Sequence, residues 1–272
     1  MEAAAFEFLQ GFVHRELGIV LEAEKTYLVE SRLGPLAQRA GADSVEALIH
    51  RLRREPRGPL HQDALEAMTT NETSFFRDAH PFAALRELVL PELIERRKEE
   101  RKLSFWSAAS STGQEAYSLA MLVANDFPAL ADWNVQIIGT DISREVLDRA
   151  RKGEYNSLEV NRGLPSNLLV RHFEQRGRDW VVRPEISRLV DFRRLNLVES
   201  WGSLPQMDVI FLRNVLIYFD VDLKRKILER VESQLKRGGR LFLGGAETVL
   251  TLSDAFERQT HGKATFYRRN GD

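Results

Sequence analysis

The 272-residue chain contains no cysteine, which removes disulfides, thiolate nucleophiles, iron–sulfur clusters and cysteine-based zinc sites together. It also lacks an excess of either charge, since 39 Lys and Arg face 40 Asp and Glu. Nothing global therefore draws it to nucleic acid or to an anionic membrane, and any basic patch must be local. Long apolar runs are missing as well. The opening MEAAAFEFLQGFVHRELG is interrupted by Glu2, Glu7, His14, Arg15 and Glu16, so it reads neither as a signal peptide nor as a membrane span, and a cytoplasmic protein is expected. None of the six histidines pairs with another as H-x-x-x-H, and no G-x-S-x-G, G-x-G-x-x-G or G-K-[ST] occurs. Metal hydrolase, serine hydrolase, dinucleotide-binding and P-loop readings all lose their support, and no metal is expected.

What is present is enough apolar residue, 43% of the chain, to bury a real core. From Glu2 to about Leu65 the pattern is helical, with Phe6, Leu9, Phe12 and Val13, then Tyr27, Leu28, Leu33 and Leu36, at spacings of three and four. Pro56, Pro59, Gly41 and Gly58 cut this part into short helices. Residues 31–60 carry six arginines, Arg32, Arg39, Arg51, Arg53, Arg54 and Arg57, against three acids. By itself such a run is a solvated helix face. After Met68 short apolar runs alternate with amphipathic stretches. LSFWSA (103–108), VQIIGT (135–140), MDVIFL (207–212) and RLFLGG (240–245) read as buried strands, and helices start near Gln114, Ser143 and Val221. That alternation predicts a mostly parallel sheet covered on both faces. Between Asn161 and Arg188 a polar stretch interrupts the alternation, where DWVVRP and SRLVDF predict a short antiparallel excursion. ERRKEERK (95–102) reads as a mixed-charge helix end.

Four constellations could carry chemistry. Ser107-Ala-Ala-Ser-Ser-Thr-Gly113-Gln-Glu115 follows one strand and opens a helix, so small residues let a ligand approach the free N–H groups; the alternative is an ordinary turn. Asp141 ends the next strand, where an acid can accept from both hydroxyls of a ribose; it could equally cap the following helix. Arg213, Asn214 and Tyr218, in FLRNVLIYFD, lie at the end of MDVIFL, on the side where a parallel sheet binds its ligands. Thr69 to Asp78, TTNETSFFRD, reads alone as a capped loop with two core anchors.

In this order the motifs resemble the CheR family of chemotaxis receptor methyltransferases, which move a methyl group from S-adenosylmethionine to receptor glutamates. TTNETSFFR (69–77), WSAASSTGQEAYS (106–118), GTDIS (139–143) and RNVLIYF (213–219) carry the resemblance, which spans nearly the whole chain. It implies a helical domain at 1–66, a linker at 67–102, and a Rossmann-like α/β methyltransferase domain at 103–272 with an antiparallel β-subdomain at about 160–190. It assigns cofactor contacts to Asn71, Thr73, Arg77, Gly113 and Glu115, the ribose to Asp141, the adenine to Asn196 and Leu197, and further contacts to Arg213 and Asn214. Arg77 and Tyr218 would border the methyl group and the incoming glutamate, with S-adenosylhomocysteine as product. The six arginines would meet acidic receptor helices.

The sequence departs from the family pattern twice. Gln114-Glu115-Ala116 stands where members have Glu-Glu-Pro, and Gly244-Gly245-Ala246-Glu247 where many have Gly-His-Ser-Glu. The connection at Gly177 is short, so the resemblance leads us to expect no binding of a receptor tether peptide. A monomer is expected. Two alternatives stay open at this stage: an S-adenosylmethionine sensor or docking module without transfer, and a methyltransferase acting on another substrate.

Overall fold

A computed structural model describes residues 1–202 and 204–271. The chain divides into two compact units, each described by itself. The first comprises Met1–Thr70, Asn196–Ser200 and Tyr218–Lys224, and the second comprises Asn71–Leu195, Trp201–Ile217 and Arg225 to the carboxyl end.

The first unit holds α1 (Ala3–Leu17), α2 (Thr26–Arg39), α3 (Val45–Arg54) and α4 (Pro59–Met68). Each starts or stops where local chemistry dictates. Gly18 takes a left-handed conformation at the end of α1, the Ser44 hydroxyl accepts the Ala47 N–H at the start of α3, and Pro59 opens α4. Of the positions the periodicity marked, Leu9, Phe12, Val13, Leu33 and Leu36 are buried, whereas Tyr27 is exposed, because α2 turns Val29, one turn before Leu33, to the core instead. Ile19 bridges Phe219, and the Val20 N–H donates to the Tyr218 carbonyl at 2.9 Å. Asn196 donates to the carbonyl of Glu16 at 2.8 Å. These contacts place Asn196, Leu197 and Tyr218 with the helices rather than with the strands that precede them.

In the second unit α5 (His80–Ala84), a π-helical turn and α6 (Leu90–Arg96) lead into β1 (Lys102–Ala108). Then follow α7 (Gln114–Asp126), β2 (Asn134–Asp141), α8 (Arg144–Lys152), β3 (Glu154–Asn156), α9 (Ser157–Asn161), α10 (Ser166–His172), β4 (Phe173–Arg176) and β5 (Asp179–Val182). The chain continues through α11 (Pro184–Ser187), β6 (Val190–Arg194), β7 (Met207–Leu212), α12 (Val221–Gln234), β8 (Leu235–Leu243), β9 (Phe256–His261) and β10 (Ala264–Arg269). Seven strands form one sheet in the order β6-β2-β1-β7-β8-β10-β9, parallel except for β10 against both of its neighbours. The order reverses at β1, and a parallel sheet binds its ligands beside the carboxyl ends of strands at such a reversal.

The four buried strands read from the sequence are therefore present, with β8 ending at Leu243 rather than Gly245. The antiparallel excursion differs. DWVV is β5, but it pairs with β3 and β4, whereas SRLVDF contributes β6, which joins the main sheet parallel to β2. The physical reason is Phe192. Its ring packs edge-on to Tyr117 of α7 at 5.5 Å, which buries it against the helix that covers the main sheet. ERRKEERK is also more than a helix end. Arg97 and Lys236 close on Asp208, which is fully buried at the start of β7 and also accepts the N–H and hydroxyl of Ser104. One satisfied carboxylate thus ties β1, β7 and β8 at the end opposite the ligand side.

Candidate active site

The turn after β1 is built by backbone geometry rather than by glycines. Ala109, Ser111 and Gly113 all have positive φ, at 54°, 51° and 94°, so left-handed residues alternate along the turn. Each left-handed non-glycine residue costs roughly 1–2 kcal/mol, and the cost is offset by bonds that fix the turn. The Ser110 N–H donates to the Thr140 carbonyl at 2.8 Å, the Ser111 N–H to Asp141 Oδ2 at 2.9 Å, and the Tyr155 hydroxyl to the Thr112 carbonyl at 2.6 Å. Gly113 is obligatory, because a Cβ there would meet Phe192 Cζ at 2.9 Å and Ala150 Cβ at 3.0 Å.

Asp141 is not the helix cap. That place belongs to Ser143, whose hydroxyl faces the Val146 N–H, while Asp141 Oδ1 accepts the Ser143 N–H at 3.0 Å. One carboxylate therefore joins the turn after β1 to the start of α8. Glu115, in the first turn of α7, accepts the Ser107 hydroxyl at 2.8 Å and the Arg213 guanidinium at 3.0 Å. Arg213, whose side chain is 1% exposed, also reaches Asp78 at 2.6 Å and donates to the Arg77 carbonyl at 3.1 Å.

The linker motif is held to the same place. Phe75 is fully buried, edge-on to Tyr155 at 5.0 Å, and the Phe76 N–H donates to the Ser118 hydroxyl. The Ser111 hydroxyl donates to the Asn71 carbonyl at 2.8 Å, and Arg77 donates to the Glu72 carbonyl. Asn71 and Thr73 then share a cavity of about 960 Å³ with Thr112 and Gln114. In this second unit the structure brings together Asn71, Thr73, Arg77, Gly113, Glu115, Asp141, Arg213 and Asn214. Asn196, Leu197 and Tyr218 lie in the first unit.

The six arginines of residues 31–60 separate into two sets. Arg32 donates to the Met68 carbonyl and the Thr70 hydroxyl, both at 2.7 Å, Arg51 binds the Ala40 carbonyl and Glu55, and Arg57 pairs with Glu16. Arg39, Arg53 and Arg54 are exposed and make no ion pair among the described residues. The first unit also brings Glu2, Glu46 and His50 close together at its surface.

One residue escaped the sequence reading. Glu247 of the altered Gly-Gly-Ala-Glu stretch accepts the N–H groups of Asn214 at 2.7 Å, Val215 at 2.9 Å, Gly244 at 2.6 Å and Ile217 at 3.3 Å. It fixes Asn214 at φ 59°, a conformation that Asn tolerates better than most residues. A carboxylate three residues beyond a strand-end glycine is the only sequence signal that could have pointed to it.

The site fits an adenosyl sulfonium ligand. Ser110 Oγ is buried without a hydrogen-bond partner, Asp141 offers acceptors suited to hydroxyls, and Glu115 presents a carboxylate suited to an amino group. A seven-stranded sheet of this order with an acid at the end of β2 defines a Rossmann-like, S-adenosylmethionine-binding methyltransferase. Residues 71–264 match the family described as CheR methyltransferase, SAM binding domain, and residues 4–69 match its all-alpha domain. The chain belongs to the CheR family of chemotaxis methyltransferases. It is 43% identical to chemotaxis protein methyltransferase 1 of Pseudomonas aeruginosa, over 97% of each chain. It is also 42% identical to chemotaxis protein methyltransferase Cher2 of Pseudomonas putida, over 93% of each, and 42% identical to chemotaxis protein methyltransferase 1 of Vibrio cholerae, over 90% of each. Among the described residues no helix is long and apolar enough to cross a membrane.

Proposed function

We propose that the protein transfers a methyl group from S-adenosylmethionine to glutamate carboxylates on the cytoplasmic helices of chemoreceptors. The products are glutamate methyl esters and S-adenosylhomocysteine. The observation that carries this reading is that each strand-end carboxylate holds part of the site together. Asp141 and Glu247 accept main-chain N–H groups, and Glu115 is held by Ser107 and Arg213, so the arrangement is one for holding and orienting ligands. A glutamate acceptor needs no base, since its pKa of about 4.3 leaves it ionised at neutral pH. An amine or hydroxyl acceptor would need one.

The cofactor supplies, when bound, a methyl group on a positively charged sulfur. In this reading Asp141 holds the ribose, Glu115, Asn71, Thr73, Arg213 and Asn214 hold the remainder of the cofactor, and Gly113 permits its approach. Asn196 and Leu197 contact the adenine. Arg77 and Tyr218 hold the acceptor carboxylate in line, and neither moves a proton. Such positioning is worth up to roughly 7–11 kcal/mol. Attack by a carboxylate on a cationic donor cancels charge, so exclusion of water assists it.

In this reading Arg39, Arg53 and Arg54 form the surface that attracts acidic receptor helices, and the enzyme acts in the cytoplasm as a monomer on receptors, with neither nucleic acid nor bilayer as partner. Gly177-Arg178 is a two-residue connection between β4 and β5, too short to extend the sheet edge, which supports direct recognition of helices without a tether peptide. The test is transfer of labelled methyl groups to receptor cytoplasmic fragments from the same organism, released as methanol by mild base. Cofactor binding without any base-labile transfer would leave a sensor instead of an enzyme.

A further inference from the structure

A second cavity, of about 510 Å³, lies between the ends of β7 and β8 and the β9–β10 hairpin. Its walls carry cations from three directions. Arg258, Thr265 and Tyr267 share one face of the hairpin because Arg258 is paired with Tyr267 and side chains alternate along β10. Lys263, two residues before Thr265, continues that face. The acidic residue of β9, Glu257, falls on the other face with Phe266 and pairs with Arg268. His80 and the buried Arg213 complete the lining.

Charge within this cavity is unbalanced. Arg258 has only a 3.5 Å contact to the Thr265 hydroxyl, and Lys263 makes no ion pair among the described residues. The one carboxylate in the lining is Glu247, and its oxygens are already taken by four main-chain N–H groups. Arg213 satisfies Glu115 and Asp78 with its terminal nitrogens, yet its Nε–H is buried without an acceptor. A buried donor left unpaired costs about 1–3 kcal/mol, so this one marks a place where an acceptor is wanted.

We propose that this cavity binds a carboxylate of the acceptor protein, an acidic side chain neighbouring the one that is methylated. The inference rests on the proposed function for the identity of the acceptor, and on the cavity alone for the class of ligand. Its position at the ends of β7 and β8 suits it to this task, since Arg213 and Gly244 belong both to the cavity wall and to the strand ends that carry the site. Arg258 and Lys263 would select segments carrying clustered acids over those with an isolated one.

The test compares wild type with R258E/K263E, both loaded with S-adenosylhomocysteine, using a hexaglutamate peptide and then the receptor fragment as probes. Both positions are exposed, and R258Q/K263Q serves if the charge reversal disturbs folding. The expected result is a loss of at least about fivefold in affinity for hexaglutamate at low salt, shrinking as salt rises. The KM for the receptor fragment should rise in parallel, and affinity for S-adenosylhomocysteine should be unchanged. Equal hexaglutamate affinity in wild type and variant overturns the inference, as does a loss of S-adenosylhomocysteine affinity, which would give the cavity to the cofactor. Because the peptide arm requires no turnover, failure of methyl transfer to receptor fragments would refute the proposed function without deciding this question.

Discussion

Arg213 and Glu115, 98 positions apart in sequence, meet at 3.0 Å with side chains 1% and 12% exposed. The guanidinium spans from Glu115 to Asp78 and so connects the end of β7, the first turn of α7 and the linker motif through one planar group. A lysine cannot replace this fork.

Arg213→Lys should therefore lose stability through a stranded, largely buried carboxylate, by about 3 kcal/mol. For a chain of this size that is a fall in Tm on the order of 10 °C, readable by calorimetry with and without S-adenosylhomocysteine. A Tm within 2 °C, on the order of experimental scatter for such scans, would mean that Glu115 and Asp78 find other partners.

Asp141→Ala removes the acceptor of two main-chain N–H groups, Ser111 and Ser143, and with it the brace of a turn that holds two non-glycine left-handed residues. S-adenosylhomocysteine should bind at least about tenfold more weakly by titration calorimetry, equivalent to ~1.4 kcal/mol. Asp141→Asn, which retains one acceptor oxygen, should fall between the two. Wild-type affinity in the alanine variant would remove Asp141 from the ligand site.

The two sets of arginines should behave differently. Reversal of Arg39, Arg53 and Arg54 should raise the KM for receptor fragments at low ionic strength without altering Tm. Replacement of Arg32 by alanine should lower Tm, because it strips the Met68 carbonyl and the Thr70 hydroxyl of their donor. Normal KM for the charge-reversed protein at low salt would reduce Arg39, Arg53 and Arg54 to a solvated helix face.

His172 gives the fold a pH dependence. It is 4% exposed, both ring nitrogens lack partners, and burial lowers its pKa below the usual 6.5. The unfolded chain then binds the proton first, so stability rises with pH across the interval below 6.5 and is highest where His172 is neutral in both states. Denaturant midpoints measured through that interval should show the slope in wild type and a shallower one in His172→Leu. Parallel slopes would assign the dependence to other groups.

Legibility followed the strength of the local signal. β1, β2 and β7 are runs of apolar residues bounded by turns, and α7 and α12 begin at the residues that the pattern marked. β9 and β10 escaped notice because FERQTH and ATFYRR carry mostly polar residues, and their place in the sheet rests on pairing with β8 and on distant packing such as Phe266 stacking on Phe242 at 5.2 Å. SRLVDF was assigned to the wrong sheet for the same reason, since an edge strand is specified by its distant partner. The ligand-side motifs were legible as residue types. Glu247 and Asp78 were not, because most of their hydrogen bonds run to residues 30 or more positions away, and the one local bond, from Gly244 to Glu247, is a weak signal by itself. Whether Asp141 capped α8 or faced a ligand was likewise open until the geometry gave the cap to Ser143.

The most direct measurement is peptide mapping of a receptor cytoplasmic fragment after incubation with enzyme and S-adenosylmethionine, by mass spectrometry before and after mild base. The account predicts single methyl additions on glutamate side chains, removed by base, absent when those glutamates are replaced by alanine, and slowed when Tyr218 is replaced by phenylalanine while S-adenosylhomocysteine still binds. Base-stable methylation on lysine, arginine or the chain terminus would contradict it, as would an unmodified fragment in the presence of a cofactor-binding enzyme.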